Sequence, residues 1–212
     1  MIIGLVGFIG SGKGSVGDIL SLDHNFVQDS FAAPLKDAVA IIFGWDRENV
    51  EGATPASRLW REIPDEFWSE KFGRPFTPRL ALQLMGTEAG RNVFHQDLWV
   101  VSLLNRCSHR SASTVITDVR FKNEIAAIQK AGGVVVRVLR GPEPAWFNDA
   151  LFANQGNQDA LQKMKHLGIH QSEWDWVGEP INHTLYNDGT LADLRDNVRH
   201  LVQNQNVFLT SL

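Results

Sequence analysis

Apolar and polar positions along the chain divide it into alternating strands and helices. "IIGLV", residues 2–6, is a short apolar run rich in β-branched residues, the form of a strand covered on both faces. Residues 14–22 carry helical spacing through Val16, Ile19 and Leu20, and "HNFVQDS" reads as a brief second strand ending near Asp29. "FAAPLKDAVAIIFGW" restores a helical period, with Pro34 suited to a first turn. "TPRLALQLMGTEAGRNVF" opens on a capping Thr77 and Pro78 and predicts a helix interrupted near Gly86; "DLWVVSLLNRCS" predicts another. "STVITDVRF" reads as a buried strand ending in charge, "NEIAAIQKAGG" as an amphipathic helix stopped by glycine, and "VVVRVLR" as a fourth strand. "HTLYNDGT" supplies a last strand and turn before the closing helix "LADLRDNVRHLVQNQ".

This alternation predicts an α/β three-layer sandwich, a central five-stranded parallel sheet with helices on both faces. A length of 212 residues suits one domain over residues 1–212 and is too short for two full ones. Residues 46–78 are irregular and dense in Trp, Pro, Gly and charge, a mixture of short helices and loop. Residues 141–182 carry Pro142, Pro144, Gly156 and Gly168, with helical material around 159–166. Both stretches are places for mobile flaps.

Composition narrows the class. A net charge of −4 argues against a general nucleic-acid coat and against a stable nucleic-acid partner. Seven Trp and twelve Phe are a generous supply that could wall a cleft or a homodimer interface. The single Cys107 excludes an intrachain disulfide and fits a reducing compartment. There is no apolar run long enough to span a membrane, and the apolar start lacks the basic residues and cleavage site of a signal peptide, so a cytoplasmic protein is expected.

The chemistry gathers at "GFIGSGKGS", residues 7–15, between the first strand and first helix. It matches G-x-x-x-x-G-K, whose glycines let backbone N–H groups converge on phosphate oxygens while the helix N-terminus adds positive potential. Gly10, Ser11, Gly12, Lys13 and Gly14 form this turn, and Lys13 would reach the β- and γ-phosphates. The hydroxyl usually found directly after the lysine comes one place late, as Ser15. That form, G-K-G-[ST], resembles the loop of adenylate kinase and related nucleoside monophosphate kinases. The resemblance implies ATP with Mg2+, the metal held mainly by phosphate oxygens and waters. Ser15 and Asp118, the latter at the end of the third strand, are the side chains expected near the metal. Arg120 follows in "DVRFKNE", where those kinases clamp phosphates with an arginine.

"SFAAPLKDAV", "LQLMGTEAGRNVFHQDLWV", "VITDVRFKNE", "HQSEWD" and "YNDGTLADL" together resemble the deoxynucleoside monophosphate kinases of tailed bacteriophages. The resemblance implies a P-loop kinase fold in which an acceptor-binding insertion occupies residues 31–100 and a lid residues 141–182. It implies transfer of the γ-phosphoryl group of ATP to a deoxynucleoside monophosphate, with small nucleotides as partners. Catalytic candidates are Lys13, Asp118, Arg120 and Arg140, the last preferred over Arg137. Acceptor candidates are Asp29, Lys36, Arg79, Gln83, Thr87, Arg91, Trp146 and Glu173, with His170 in the same region. Gln83 lies one helical turn after Arg79 and two before Arg91, so the three can share a face. Asn187 and Gly189 of "NDGT" stand where this superfamily contacts adenine through backbone atoms. A second acceptor class, dephospho-coenzyme A or a hydroxymethylated base in DNA, keeps the fold; a hydroxyl acceptor would want a base such as Asp29.

Overall fold

In the computed structural model the described residues are 1–209, with side chains through 204; the last three positions of the expected domain lie outside them. The elements begin β1 (Ile2–Val6), α1 (Lys13–His24), β2 (Val27–Asp29), α2 (Ala33–Phe43), α3 (Arg47–Glu51), α4 (Pro55–Trp60), α5 (Glu66–Phe72) and α6 (Pro78–Gln83). A π-helical stretch, Leu84–Phe94, and α7 (Leu98–Ser108) follow. The chain continues through β3 (Thr114–Ile116), α8 (Lys122–Lys130), β4 (Val134–Leu139), α9 (Phe147–Asn154) and α10 (Gln158–His166). A 3-10 turn (Gln171–Glu173), β5 (His183–Tyr186) and α11 (Leu191–Leu209) complete it. Two compact units result: Met1–Ser30 with Leu104–Leu212, and Phe31–Leu103.

The first unit holds one all-parallel sheet in the order β2-β3-β1-β4-β5. Gly4 of β1 pairs with Ile116 of β3 on one side and Val135 of β4 on the other. On one face Ile3, Leu5, Val136, Val138 and Leu185 pack with Val16 and Leu20 of α1 and Leu194 and Val198 of α11, all buried. On the other face lies α8: a Cβ at Gly4 would stand 2.6 Å from Ile128 Cδ1 and 3.1 Å from Val119 Cγ2. Cover on both sides is why these strands read as continuous apolar runs instead of alternating.

Strand β3 is shorter than "STVITDVRF" suggests. After Ile116 the backbone leaves the sheet, and the N–H groups of Arg120 and Phe121 donate to the Glu124 carboxylate at 2.8 and 3.1 Å. Asp118 therefore stands two residues beyond the strand, half-buried, and not on its last rung. Helix α9 was not foreseen; its Ala150 and Ala153 are buried, as are Ala160 and Met164 of α10.

In the second unit, Phe43, Trp45, Trp60 and Trp68 surround a core of Leu35, Val39, Val50 and Phe76. Phe43 and Trp45 stack with ring centroids 4.7 Å apart, and the indole N–H groups of Trp45 and Trp68 donate to Asp65 (2.8 Å) and the Phe43 carbonyl (3.0 Å). The irregular stretch 46–78 becomes three short helices opened by capping Asp46, Thr54 and Asp65. Much of the aromatic supply is thus spent inside. The helix expected over 77–94 starts as α6, capped by Thr77, then changes winding instead of breaking: the His95 N–H bonds the Gly90 carbonyl at 3.1 Å. Gly90 leaves the room that Trp99 fills, a Cβ there lying 2.7 Å from the ring, and the Trp99 indole N–H donates to the Gly86 carbonyl at 2.9 Å; a Cβ at Gly86 would instead lie 2.8 Å from Leu35.

Candidate functional site

β1 delivers the chain from the middle of the sheet into the glycine turn, and α1 begins at Lys13 directly after it. Gly12 precedes that helix at φ 98, and a Cβ on Gly7 would lie 2.4 Å from the Val138 carbonyl oxygen, so both positions exclude larger residues. Gly10 and Gly14 are different: a Cβ at either would meet nothing within 4 Å. Their surroundings are open where an anion would enter. The Ser11 hydroxyl is buried without a hydrogen-bond partner among the described residues, and Ser15 is exposed on the first turn of α1. These features fit a phosphate chain held by backbone N–H groups.

Lys13 folds back over the turn and donates to the carbonyls of Gly7 (2.6 Å) and Phe8 (3.0 Å). Burial, then repulsion from Arg120, lowers its pKa to about 8, while Glu173 acts in the opposite direction. Arg120 itself donates to Glu173 at 2.8 Å and more weakly to Ser172 Oγ at 3.4 Å. The first unit thus brings Lys13, Arg120 and Glu173, distant in sequence, into one electrostatic group. Beside it opens a cavity of about 440 Å³ with apolar walls from Phe8, Ile9, Trp146 and Ile169 and charged groups from Arg140 and Glu173. Trp146 packs edge-on against Phe8 at 5.1 Å. Arg140 is exposed, whereas Arg137 is bound to Glu143 at 2.5 and 2.6 Å and enclosed by Phe8, Phe147 and Trp176. His170 caps the 3-10 turn, its Nδ1 accepting from the Ser172 N–H at 3.2 Å.

Two buried carboxylates that sequence reasoning missed hold the backbone of residues 120–122. Glu124 takes the N–H groups of Arg120 and Phe121, and Asp175 accepts from the Lys122 N–H at 2.9 Å. The "FKNE" spacing, with Glu at the third helical position, was a readable signal for the first; Asp175 had none. Among the described residues no group of three or more His, Cys, Asp or Glu could hold a metal ion.

In the "NDGT" turn Asn187 donates its backbone N–H to the Leu139 carbonyl (2.8 Å) and one N–H of its side-chain amide to the Ser11 carbonyl (2.8 Å). Asp188 accepts from the Gly141 N–H at 2.6 Å, and Thr190 and Asp193 cap α11 around the exposed Gly189.

Asp29 is already engaged by neighbouring donors. Its buried carboxylate receives Arg106 at 2.8 Å, Arg110 at 2.6 Å and the Ser30 N–H at 2.7 Å. Burial alone would raise its pKa, but the Arg106, Ser30 and Arg110 hydrogen bonds outweigh it and hold the group below the usual carboxylate range. Both arginines were passed over in sequence, although their four-residue spacing at the end of a helix was visible. In the second unit Lys36 is paired with Glu51, and Arg79 with Glu62 at 2.9 Å. Gln83 and Thr87 are exposed and Arg91 half-buried. The change of winding after Gln83 removes the premise that Arg79, Gln83 and Arg91 share an α-helical face.

Comparison with known proteins adds an independent line. No family model matches the chain. A protein of Acanthamoeba polyphaga mimivirus described as a deoxynucleotide monophosphate kinase is 35% identical over 154 residues, covering 66% of this chain and 74% of that protein. The deoxynucleoside-5'-monophosphate kinase of Escherichia phage T5 is 45% identical over 112 residues, 52% of this chain and 39% of the phage enzyme's length. Among solved structures, shikimate kinase from Aquifex aeolicus aligns over 98% of this chain and 99% of its own, with TM-score 0.46 and 13% identity. TT1252 from Thermus thermophilus aligns over 96% and 97%, with TM-score 0.48 and 17% identity. At such scores these two add nothing to the sheet order and the sequence matches.

Proposed function

Because the chain belongs to the deoxynucleoside monophosphate kinase family, as 35% identity across 74% of the mimivirus protein shows, we propose that it transfers the γ-phosphoryl group of ATP to a deoxynucleoside 5'-monophosphate, releasing ADP and the diphosphate. The observation that carries this reading is the coupling of Lys13 to Arg120 and Glu173 beside a glycine turn that is open at Gly10 and Gly14. In this reading residues 10–15 hold the triphosphate through N–H groups and the positive end of α1. Lys13 and Arg120 neutralise charge on the transferred group, and Arg140 adds to them. Glu173 now accepts from Arg120 as a phosphate oxygen would, so Arg120 changes partner when the phosphoryl group arrives. The cavity beside Trp146 takes the acceptor base.

A monophosphate acceptor is already largely dianionic at neutral pH, its second pKa being about 6, and needs no general base. The engagement of Asp29 by Arg106 and Arg110 supports such an acceptor over a hydroxyl. Ser15 and Asp118 would stand toward the shell of a magnesium ion carried in by ATP at the open first turn of α1, and that ion would supply charge neutralisation on the phosphates. Lys36, Arg79, Gln83, Thr87 and Arg91 are the remaining acceptor candidates, the first and third of the charged set being Lys36 and Arg91, with Arg79 between them in sequence. Lys36 and Arg79 would exchange Glu51 and Glu62 for phosphate oxygens. Residues 141–182 act as a lid whose root, at Trp174, Trp176 and Val177, is buried; the exposed stretch near His166–Gly168 is the part free to close.

We place the reaction in the cytoplasm of an infected host, where it supplies precursors for viral DNA without lasting contact with nucleic acid. No helix of the described residues is long and apolar enough to cross a membrane. The test is ADP release from ATP with each deoxynucleoside monophosphate in turn. Lys13→Ala should lower kcat by about 10²-fold or more, and Arg91→Ala should raise the acceptor KM while sparing the donor KM. Absence of monophosphate-dependent ADP release with every acceptor, or full activity in Lys13→Ala, refutes the proposal.

A further inference from the structure

We infer that Asn187 is a positioning residue for the glycine turn, holding one of its peptide groups in the orientation that meets a phosphate. The inference rests on the reading of that turn as the ATP site. Its basis is a contact across 176 residues of sequence, from the Asn187 Nδ2 to the Ser11 carbonyl oxygen at 2.8 Å. Asn187 is itself anchored, because its backbone N–H donates to the Leu139 carbonyl at the end of β4. The amide also fills the space beside Gly12: a Cβ there would lie 2.2 Å from Nδ2.

The consequence follows from peptide geometry. In a trans peptide the carbonyl and the next N–H point in opposite directions. Pinning the Ser11 carbonyl toward Asn187 therefore turns the Gly12 N–H the other way, free of that side chain and able to donate to an anion. Without the pin this peptide would have little reason to stay. Gly12 sits at φ 98 and carries no Cβ, so rotation of the Ser11–Gly12 peptide meets little steric resistance. A rotated peptide would present a carbonyl oxygen to phosphate instead of an N–H. Asn187 removes that alternative before the nucleotide arrives, a preorganisation whose effect falls on donor binding.

Asn187→Asp keeps the shape and abolishes the donated hydrogen bond; Asn187→Ala removes the side chain. Steady-state kinetics with ATP and the best deoxynucleoside monophosphate, calorimetric binding of β,γ-imido-ATP, and thermal unfolding together provide the test. Both variants should raise the donor KM and the analogue Kd about five- to tenfold, the scale of one well-placed hydrogen bond. The acceptor KM should stay within about twofold and the unfolding midpoint within a few degrees. A donor KM in Asn187→Asp within about twofold of wild type overturns the inference, as does a parallel loss of both KM values, kcat and thermal stability, which marks a merely structural contact. Failure of the parent reading looks different: wild type itself would bind no analogue, and the positioning role would fall with it.

Discussion

Replacing Lys13 with methionine should stabilise the protein while removing its activity. The ammonium group lies over the glycine turn, with carbonyl oxygens of Gly7 and Phe8 at 2.6 and 3.0 Å as its hydrogen-bond partners. Burial first, and Arg120 second, lower its pKa from 10.5 to about 8 despite Glu173. Lowering the pKa from 10.5 to about 8, at about 1.4 kcal/mol per pH unit, bounds the cost of holding the charge at about 3.5 kcal/mol. Methionine keeps most of the apolar stem but forfeits hydrogen bonds worth about 1 kcal/mol each, so a net gain of about 1–2 kcal/mol is expected at pH 7. For a chain of this size that is roughly 3–6 °C in Tm.

The pH dependence gives the sign. Because the folded pKa lies below the unfolded value, the unfolded chain binds more protons between about pH 8 and 10.5, and wild-type stability rises with pH in that window relative to the variant. The advantage of Lys13→Met should be constant below about pH 7.5 and shrink as pH climbs toward 10. Urea titrations of both proteins at pH 7, 8.5 and 10 would measure it. A variant less stable than wild type at pH 7, or a gap that does not narrow above pH 8, would show that the ammonium stabilises the turn and that this electrostatic account is wrong.

Two further outcomes test the scaffold. Asp29→Asn should cost about 3 kcal/mol at pH 7 by leaving Arg106 and Arg110 without their buried partner. Since the folded pKa of Asp29 is depressed, its contribution exists above the ordinary carboxylate range and is lost as pH falls through the folded value; the deficit in a urea titration should therefore narrow toward pH 3. Gly4→Val should cost about 1–3 kcal/mol by overpacking against Ile128, and Ile128→Ala in the same protein should recover part of it, a non-additivity measurable by a double-mutant cycle.

The elements that the sequence makes legible are those set by neighbours in the chain. An apolar run followed by glycines and Lys13 specifies strand, turn and helix locally, and the sheet then follows from the strand–helix alternation. Winding over Leu84–Phe94 was not legible, because it depends on how Trp99 meets Gly86 and Gly90. Nor was the fate of Asp29, whose partners Arg106 and Arg110 lie 77 and 81 positions away. The backbone two residues after Arg120 is held by Asp175, 53 positions beyond its contact at Lys122.

The same distinction sorts the charged candidates. Read along the chain, Asp29, Lys36, Arg79, Lys13 and Arg140 look equally available. Folding separates them, because a charged group that already has a close counter-ion must give it up before it can hold a ligand. Asp29 is committed to two arginines in a buried setting, where exchange is costly. Lys36 and Arg79 have carboxylate partners in less enclosed positions, so phosphate can compete for them. Among the described residues the hydrogen-bond partners of Lys13 are carbonyl oxygens, and Arg140 stands exposed at the cavity. An incoming polyanion therefore meets the least resistance at Lys13 and Arg140, beside the glycine turn, whereas Arg120 must first give up Glu173.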